Sequence, residues 1–131
     1  MKKSIIMGIL SAFLALAGCK ASAGEGAYQS VDVKKFTEVI GDTGVVRLDV
    51  RTAEEYAEGH IEGAINIDVM ADGFEQKAVA TLPQEKTVAL YCRSGRRSKR
   101  AADILSAKGY KVVELDTGYL GWTGEGCPVV K

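Results

Sequence analysis

One cysteine stands where nucleophilic chemistry is expected. Cys92 follows the largely apolar segment 87–91 and precedes a helical pattern, which predicts a strand, a tight loop and a helix in that order. Ligands of parallel sheets bind beyond the carboxyl ends of strands, where a helix N-terminus presents free N–H groups to an anion. Those groups and three nearby arginines favour a thiolate. We therefore predict that Cys92 is a nucleophile with a lowered pKa.

The residues after Cys92 form a predicted anion-binding loop. Gly95 lets the backbone curl so that its N–H groups point inward. The arginines concentrate positive charge in a chain whose 17 basic and 17 acidic residues balance. The loop therefore suits a small anion beside a sulfur nucleophile. The predicted binding residues are Arg93, Ser94, Gly95, Arg96, Arg97 and Ser98.

Strand and helix patterns alternate around this loop and predict a single α/β domain. Short connections and the lack of an internal repeat indicate an open, twisted parallel sheet flanked by helices. The predicted strands are 44–51, the end of 59–67, 87–92 and 111–115. The predicted helices are one with apolar positions 33, 36, 39 and 40, a short one after residue 52, and 98–108.

Local signals define several element ends. Ser30 is the predicted N-cap of the first helix, and Thr52 with Glu55 matches a capping box. The segment 70–80 is weakly patterned, with Phe74 and Val79 as expected core anchors. The tail over 124–128 is expected to be irregular.

Four residues are predicted to support the site without reacting. Asp49 and Arg51 end a buried strand and are expected to form a local ion-pair and capping network with Glu54. His60 is the only histidine; beside glycine turns, its ring is expected to bond neighbouring backbone instead of acting as a general base. Trp122 is expected to be a core or lid aromatic.

The N-terminus carries targeting signals. Two lysines, an apolar run and small residues predict a secretory signal over 1–18. Leu16-Ala17-Gly18-Cys19 resembles the bacterial lipoprotein box, which implies lipidation of Cys19, a tether over 19–27 and a domain over 28–131. An ordinary cleaved signal or an uncleaved anchor is the alternative. The expected location is the cell envelope, facing the periplasm, with the outer membrane preferred by analogy because Lys20 is not aspartate.

Charge and cysteine content exclude other classes. Without the basic signal segment the chain is mildly acidic, which argues against nucleic-acid binding. The few cysteines and the single histidine give no zinc-ligand spacing, so neither a metal nor a cofactor is expected. Cys127 has no electropositive neighbours and is not expected to be the nucleophile, but a disulfide with Cys92 stays open.

From residue 29 to the C-terminus the chain resembles the single-domain rhodanese family of sulfurtransferases. The matching segments are 49–51, 54–56, 59–66, the Cys-Arg-x-Gly-x-Arg loop 92–98, Gly118 and 121–122. The resemblance implies a persulfide on Cys92, and loop amides and arginines that bind the donor, with Arg97 as its main side-chain contact. One departure is that Asp116-Thr117-Gly118 replaces a glycine pair, which questions the packing of this turn beside the loop.

The implied reaction moves sulfur from thiosulfate, or a similar small inorganic anion, to cyanide or a thiol; a protein acceptor is not assigned. A second interpretation is a membrane-tethered sulfur carrier or sensing module that delivers sulfur to a protein with low turnover on small acceptors. A cysteine phosphatase or arsenate reductase has five residues between its cysteine and arginine, whereas four separate Cys92 from Arg97. A thiol redox protein using Cys92 and Cys127 lacks the Cys-x-x-Cys spacing.

Overall fold

Five parallel strands form one sheet in the computed structural model, which describes residues 27–131. The strands are β1 Gln29–Val31, β2 Val45–Asp49, β3 Ile65–Asn66, β4 Thr87–Tyr91 and β5 Val112–Leu115. Their order across the sheet is β1-β5-β4-β2-β3, so β4 is central and Cys92 follows it directly. The predicted signal peptide over 1–18, Cys19 and the tether up to residue 26 lie outside the described residues.

Helices cover both faces of the sheet, which confirms the predicted fold class. The helices are α1 Val33–Ile40, α2 Ala53–Glu58, α3 Phe74–Thr81, α4 Arg96–Ala107 and α5 Gly118–Gly124. Within residues 27–131, none of these helices combines the length and apolar character needed to span a bilayer.

The central strand supplies both hydrophobic clusters because its side chains alternate between the faces. Val88, Leu90 and Cys92 belong to the cluster beneath α3 and α4. Ala89 and Tyr91 belong to the other cluster, which includes residues of α1 and Trp122 of α5. Cys92 is thus held by the packing of a buried strand and points toward the α4 face.

The first helix begins later than predicted. Ser30 is not its N-cap but lies in β1, which the pattern did not predict. The cap is Asp32, whose carboxylate accepts a hydrogen bond of 2.9 Å from the Lys35 amide. Ser30 is instead the register partner of Glu114 in the neighbouring parallel strand β5. Serine and aspartate both cap helices well. Asp32 becomes the cap because Ser30 is paired with β5.

One other expectation was wrong. Val79 is 43% exposed, whereas Phe74 is buried as predicted and Ala78 is the second core residue of α3. Trp122 lies in α5, a helix that was not predicted, and its ring packs edge-on against Phe36 at 6.4 Å between centroids. Trp122 is therefore a core residue. The tail beyond Gly124 is irregular, as predicted.

Truncation of the two predicted α3 anchors should have unequal effects. Phe74→Ala should lower the free energy of unfolding by about 3–5 kcal/mol, because a large buried ring is lost and a cavity remains. The matched control Val79→Ala should change it by less than about 0.5 kcal/mol, because the side chain faces solvent. Chemical denaturation measures both, and equal losses would contradict the assigned face of α3.

Candidate active site

The Cys92 sulfur is almost hidden from solvent. The residue is 1% exposed, and its Sγ accepts a hydrogen bond of 3.1 Å from the Gly95 amide. Gly95 has a φ of +97°, a left-handed conformation that a glycine adopts without strain and that leads the chain from this loop into the following helix. Helix α4 begins immediately afterwards at Arg96. The loop therefore closes around the sulfur within three residues.

Hydrogen bonds lower the pKa of the Cys92 thiol. Burial acts most strongly and raises the pKa, but the Ser98 hydroxyl and the amides of Ser98, Gly95 and Ser94 together outweigh it. The lowered pKa agrees with the prediction, but these donors, and not chiefly the arginines, are its main cause. The same donors are in place to stabilise a thiolate once the thiol loses its proton, in a largely dry setting.

The loop rests on the start of α5. The Tyr119 amide donates to the Cys92 carbonyl oxygen at 2.8 Å, and the Leu120 amide donates to the Arg93 carbonyl oxygen at 3.0 Å. Gly118 permits this approach: its φ is +64°, and a Cβ there would lie 2.5 Å from the Arg93 carbonyl oxygen. The backbone amides that begin α5 therefore fix the loop's peptide planes.

The departure from the glycine pair is accommodated. Thr117 has an ordinary right-handed backbone conformation, so its position does not require glycine. Its side chain lies where a Cβ on Gly121 would collide with it. The glycine at 121 therefore makes room for the threonine. The turn still packs closely on the loop at two glycines, since a Cβ on Gly118 would collide with the Arg93 carbonyl and a Cβ on Gly95 would collide with the Asp116 carbonyl oxygen.

The arginines of the loop have different surroundings. Arg93 and Arg96 are exposed, as is Ser94. Arg97 is half-buried and makes a two-point ion pair with Glu55, at 2.8 Å and 3.0 Å. The role of Arg97 in donor binding stays a prediction, and the structure adds a carboxylate that competes with any donor anion for this guanidinium.

Glu55 has two tasks that the sequence predicted only in part. Its side chain closes the capping box of α2, accepting from the Thr52 amide at 3.0 Å, as expected. The same carboxylate binds Arg97 from across the site. The Arg97 hydrogen bond is the main reason that the pKa of Glu55 falls to about 2, with the Thr52 amide adding to it and burial opposing it.

Behind the sulfur lies a buried polar cluster. Ser98 is fully buried and its Oγ is 3.4 Å from Cys92 Sγ. The same Oγ donates to Glu114 Oε2 at 2.5 Å, and Ser30 Oγ donates to Glu114 Oε1 at 2.5 Å. Lys99 Nζ lies 3.2 Å from Glu114 Oε2. The role of Ser98 in binding substrate stays a prediction; in the structure Ser98 connects the sulfur to a buried carboxylate.

A fully buried ion pair, Asp49 with Arg51, braces the opposite face of the sheet. The Arg51 guanidinium donates to both Asp49 carboxylate oxygens and to the Gly59 carbonyl oxygen at 2.7 Å. It also lies 4.1 Å from the Tyr119 ring centroid. Burial opposes the charge, but the Asp49 hydrogen bonds raise the pKa of Arg51 above its ordinary value. This confirms the predicted Asp49–Arg51 pair, although Glu54 is exposed.

His60 and Cys127 lie away from the sulfur's cluster. His60 Nδ1 donates to the Tyr56 carbonyl oxygen at 2.9 Å, which is the backbone bond expected for this ring. Cys127 packs against the hydrophobic cluster on the opposite sheet face from Cys92. Both sulfurs are free thiols in the structure. Their placement on different faces makes Cys127 a poor partner for Cys92.

Two residues of this site escaped the sequence analysis. Glu114 and Lys99 were not singled out, although a carboxylate inside the apolar run 112–115 is a signal of a buried polar contact. Across residues 27–131, the structure brings together no group of three His, Cys, Asp or Glu side chains that could hold a metal ion.

Comparison with known proteins gives consistent matches. The family model described as Rhodanese-like domain matches residues 32–125. A sulfurtransferase of Allochromatium vinosum is 31% identical over 102 residues, covering 76% of this chain and 92% of that protein. The thiosulfate sulfurtransferase PspE of Escherichia coli is 43% identical over 67 residues, covering 51% of this chain and 64% of that protein.

Solved structures share the architecture. The crystal structure of a rhodanese-related protein from Thermoplasma volcanium has a TM-score of 0.69 to this chain and 32% sequence identity. The match covers 79% of this chain and 98% of that chain.

Gly118→Ala should destabilise the protein by about 3 kcal/mol or more. The left-handed backbone costs an alanine about 1–2 kcal/mol, and the new Cβ also collides with the loop carbonyls. Gly126→Ala is the matched control: its φ is +77°, but a Cβ there meets nothing within 4 Å, so only the backbone cost applies. Denaturation curves that gave equal losses would refute the close packing at Gly118.

The Glu55–Arg97 pair should make stability depend on acid pH. Because the folded pKa of Glu55, about 2, lies below its unfolded value, its contribution is present above about pH 4.5 and lost as pH falls through about 2. Glu55→Gln, which can still cap α2, should cost about 1–3 kcal/mol at pH 7. Unfolding measured from pH 7 to 2 should show this difference shrinking, and a constant difference would argue against the ion pair.

Proposed function

This chain belongs to the rhodanese-like domain family, and several of its matched relatives are named as sulfurtransferases. On that premise we propose that it moves sulfane sulfur from thiosulfate to cyanide or a thiol through a persulfide on Cys92. A similar small sulfur anion is an equivalent donor. The observation that carries the proposal is the buried Cys92 sulfur with the Gly95 amide directed at it and a lowered pKa.

The first step is a displacement at sulfur. The Cys92 thiolate attacks the outer sulfur of thiosulfate, and a new S–S bond forms to Cys92. The S–S bond of thiosulfate breaks, and its electron pair leaves with sulfite. Negative charge on the reacting sulfurs lies against the inward amides of Ser94, Gly95 and Ser98, which favour it without reorganising.

The second step returns the enzyme to its starting state. Cyanide or a thiolate attacks the outer sulfur of the Cys92 persulfide, and the persulfide S–S bond breaks. Its electron pair returns to Cys92 as thiolate, and thiocyanate or a new persulfide leaves. No external oxidant or reductant is needed, because each attack replaces one bond to the transferred sulfur with another.

The size and charge of the loop favour a small dianion. With the sulfur almost fully covered, only a slender terminal atom can reach it. The exposed guanidiniums of Arg93 and Arg96 supply positive charge at the rim of the loop. Arg97 is proposed to bind the donor by exchanging part of its contact with Glu55 for the anion. A four-residue spacing to Arg97 supports one sulfur atom better than a phosphate.

We also propose the cellular setting expected above. Cys19 carries the lipid, the domain faces the periplasm, and the membrane is contacted through the lipid alone. The acceptor is a thiol or cyanide, and a protein acceptor of the same persulfide is the alternative, in which the chain acts as a carrier with slow release to small molecules.

Thiosulfate should add one sulfur atom to the full chain, detected by intact mass after desalting of the fully reduced protein. Cyanide should remove the added atom. Cys92→Ser should abolish the adduct, because the attacking sulfur is lost, whereas the matched Cys127→Ser should keep it.

The outcomes separate the alternatives. An adduct that cyanide and small thiols remove only slowly favours the carrier over the enzyme. A reduced protein that gains no sulfur, or that gains it equally in Cys92→Ser, would sink the thiosulfate mechanism.

A further inference from the structure

Glu114 is a fully buried carboxylate that the sulfur-transfer steps do not use. It lies in β5, beside the central strand, and is 0% exposed. An ionised group is costly to bury, so its hydrogen bonds must offset that cost. Ser98 and Ser30 each donate a hydroxyl to it, and Lys99 approaches it from the rim. Of these partners, only Ser98 also contacts the nucleophile.

The Ser98 hydroxyl has one hydrogen and two acceptors. Its Oγ lies 2.5 Å from Glu114 Oε2 and 3.4 Å from Cys92 Sγ. When the hydrogen is directed at Glu114, the Oγ lone pair faces the sulfur and can only accept, which suits a thiol with its own S–H. When the hydrogen is directed at the sulfur it stabilises a thiolate, and Glu114 loses this donor unless it carries a proton itself.

We propose that Glu114 is a positioning residue that shares one proton with Cys92 through the Ser98 hydroxyl. In the resting state Cys92 is a thiol that donates to Ser98, and Ser98 donates to the Glu114 carboxylate. Glu114 thereby sets the pH at which the nucleophile ionises.

The transfer within this chain of hydrogen bonds is balanced. The Cys92 S–H bond breaks, its electron pair stays on sulfur, and its proton forms a new O–H bond on Ser98. The original Ser98 O–H bond breaks and that proton forms an O–H bond on Glu114. The products are a thiolate that accepts from Ser98 and a neutral carboxyl group that donates to it. Net charge is unchanged, so no ion is added to the buried region.

Other charged groups face the two ends of this chain. Arg97 of α4 faces the Cys92 end and is held by Glu55 of α2. Lys99 faces the Glu114 end and also binds Asp116, at 2.8 Å. Tyr28, next to β1, also lies near Glu114, and burial together with the charges of Asp103 and Glu114 raises its pKa. These groups bias the proton's position, but Ser98 alone joins its two ends.

The inference rests on Cys92 being the nucleophile of the proposed function, and it gives that site a store for the thiol proton. The proton is held on Glu114 while sulfur is bound and is available when the thiolate is regenerated. The nucleophile therefore needs neither His60 nor bulk water as its base.

Iodoacetamide alkylation of the full chain from pH 5 to 10 tests this, with the Cys92 peptide followed by mass spectrometry. The wild type should alkylate in two steps with pH, because two coupled groups share the titration. Glu114→Gln should show a single step, with its midpoint about one pH unit below the pH at which the wild type reaches half of its maximal alkylation rate. At pH values below both of these points the variant should therefore alkylate about tenfold faster than the wild type. An amide competes less well for the Ser98 hydrogen, which then turns to the sulfur.

Matched variants separate a shared proton from a distant charge. Asp116→Asn removes a carboxylate from the Lys99 cluster without touching Ser98, and should keep the two-step profile. In a Ser98→Ala background, Glu114→Gln should shift the midpoint by less than half as much. An equal shift in both backgrounds, or an unchanged midpoint in Glu114→Gln, would overturn the proposal.

Serine variants keep the test decisive where Glu114→Gln fails to fold. Ser98→Ala should give a single alkylation step with a raised midpoint, because the thiolate loses its hydroxyl donor. Ser98→Thr should retain two steps. Two steps in Ser98→Ala would overturn the proposal. Alkylation requires no sulfur donor, so a failure with thiosulfate leaves this result independent.

Discussion

A sulfur anion removed from water must be stabilised by hydrogen-bond donors that the protein holds ready, and the architecture around Cys92 follows from that requirement. A left-handed turn at Gly95 leads into α4, and the Gly95 amide donates to the sulfur. The peptide planes before it are held because their carbonyl oxygens accept from the first amides of α5. That contact needs a residue without a Cβ at Gly118. The loop and the last helix therefore form one unit, in which the geometry of the nucleophile depends on backbone positions about 25 residues away in sequence.

Charge is distributed around this unit in three separate ways. Asp49 and Arg51 neutralise each other inside the protein and brace the strand ends. Glu55 occupies Arg97 at the rim, so part of the loop's positive charge is already balanced before any anion arrives. Glu114 lies beneath the loop, where two serine hydroxyl groups donate hydrogen bonds to it and one lysine forms an ion pair with it. A donor anion therefore meets a basic exposed rim and, beneath the sulfur, an acidic layer. This arrangement favours a donor whose terminal atom reaches the sulfur while its negative charge stays at the rim.

Local signals account for the parts that sequence could predict. The strand, glycine and helix around Cys92 form a continuous motif, and the capping box at Thr52 is encoded within four residues. The Arg97–Glu55 and Ser98–Glu114 contacts join residues 42 and 16 positions apart. Neither pairing can be read from spacing, because each depends on which strands become neighbours. The N-cap at Asp32 and the exposure of Val79 were missed for the same reason: two suitable cap residues, or two apolar residues, are distinguished only by tertiary packing.

The direction in which the chain enters the sheet has a consequence for presentation. All five strands of residues 27–131 run parallel, so β1 runs toward the end of the sheet that carries Cys92, and its first residue, Gln29, is level with Ala89 of β4. Residue 27 therefore lies on the side from which the strands enter the sheet, not at the end where Cys92 follows β4. A domain attached from that side would have its active-site loop facing away from the attachment point. The loop would then be accessible to solutes and to other macromolecules.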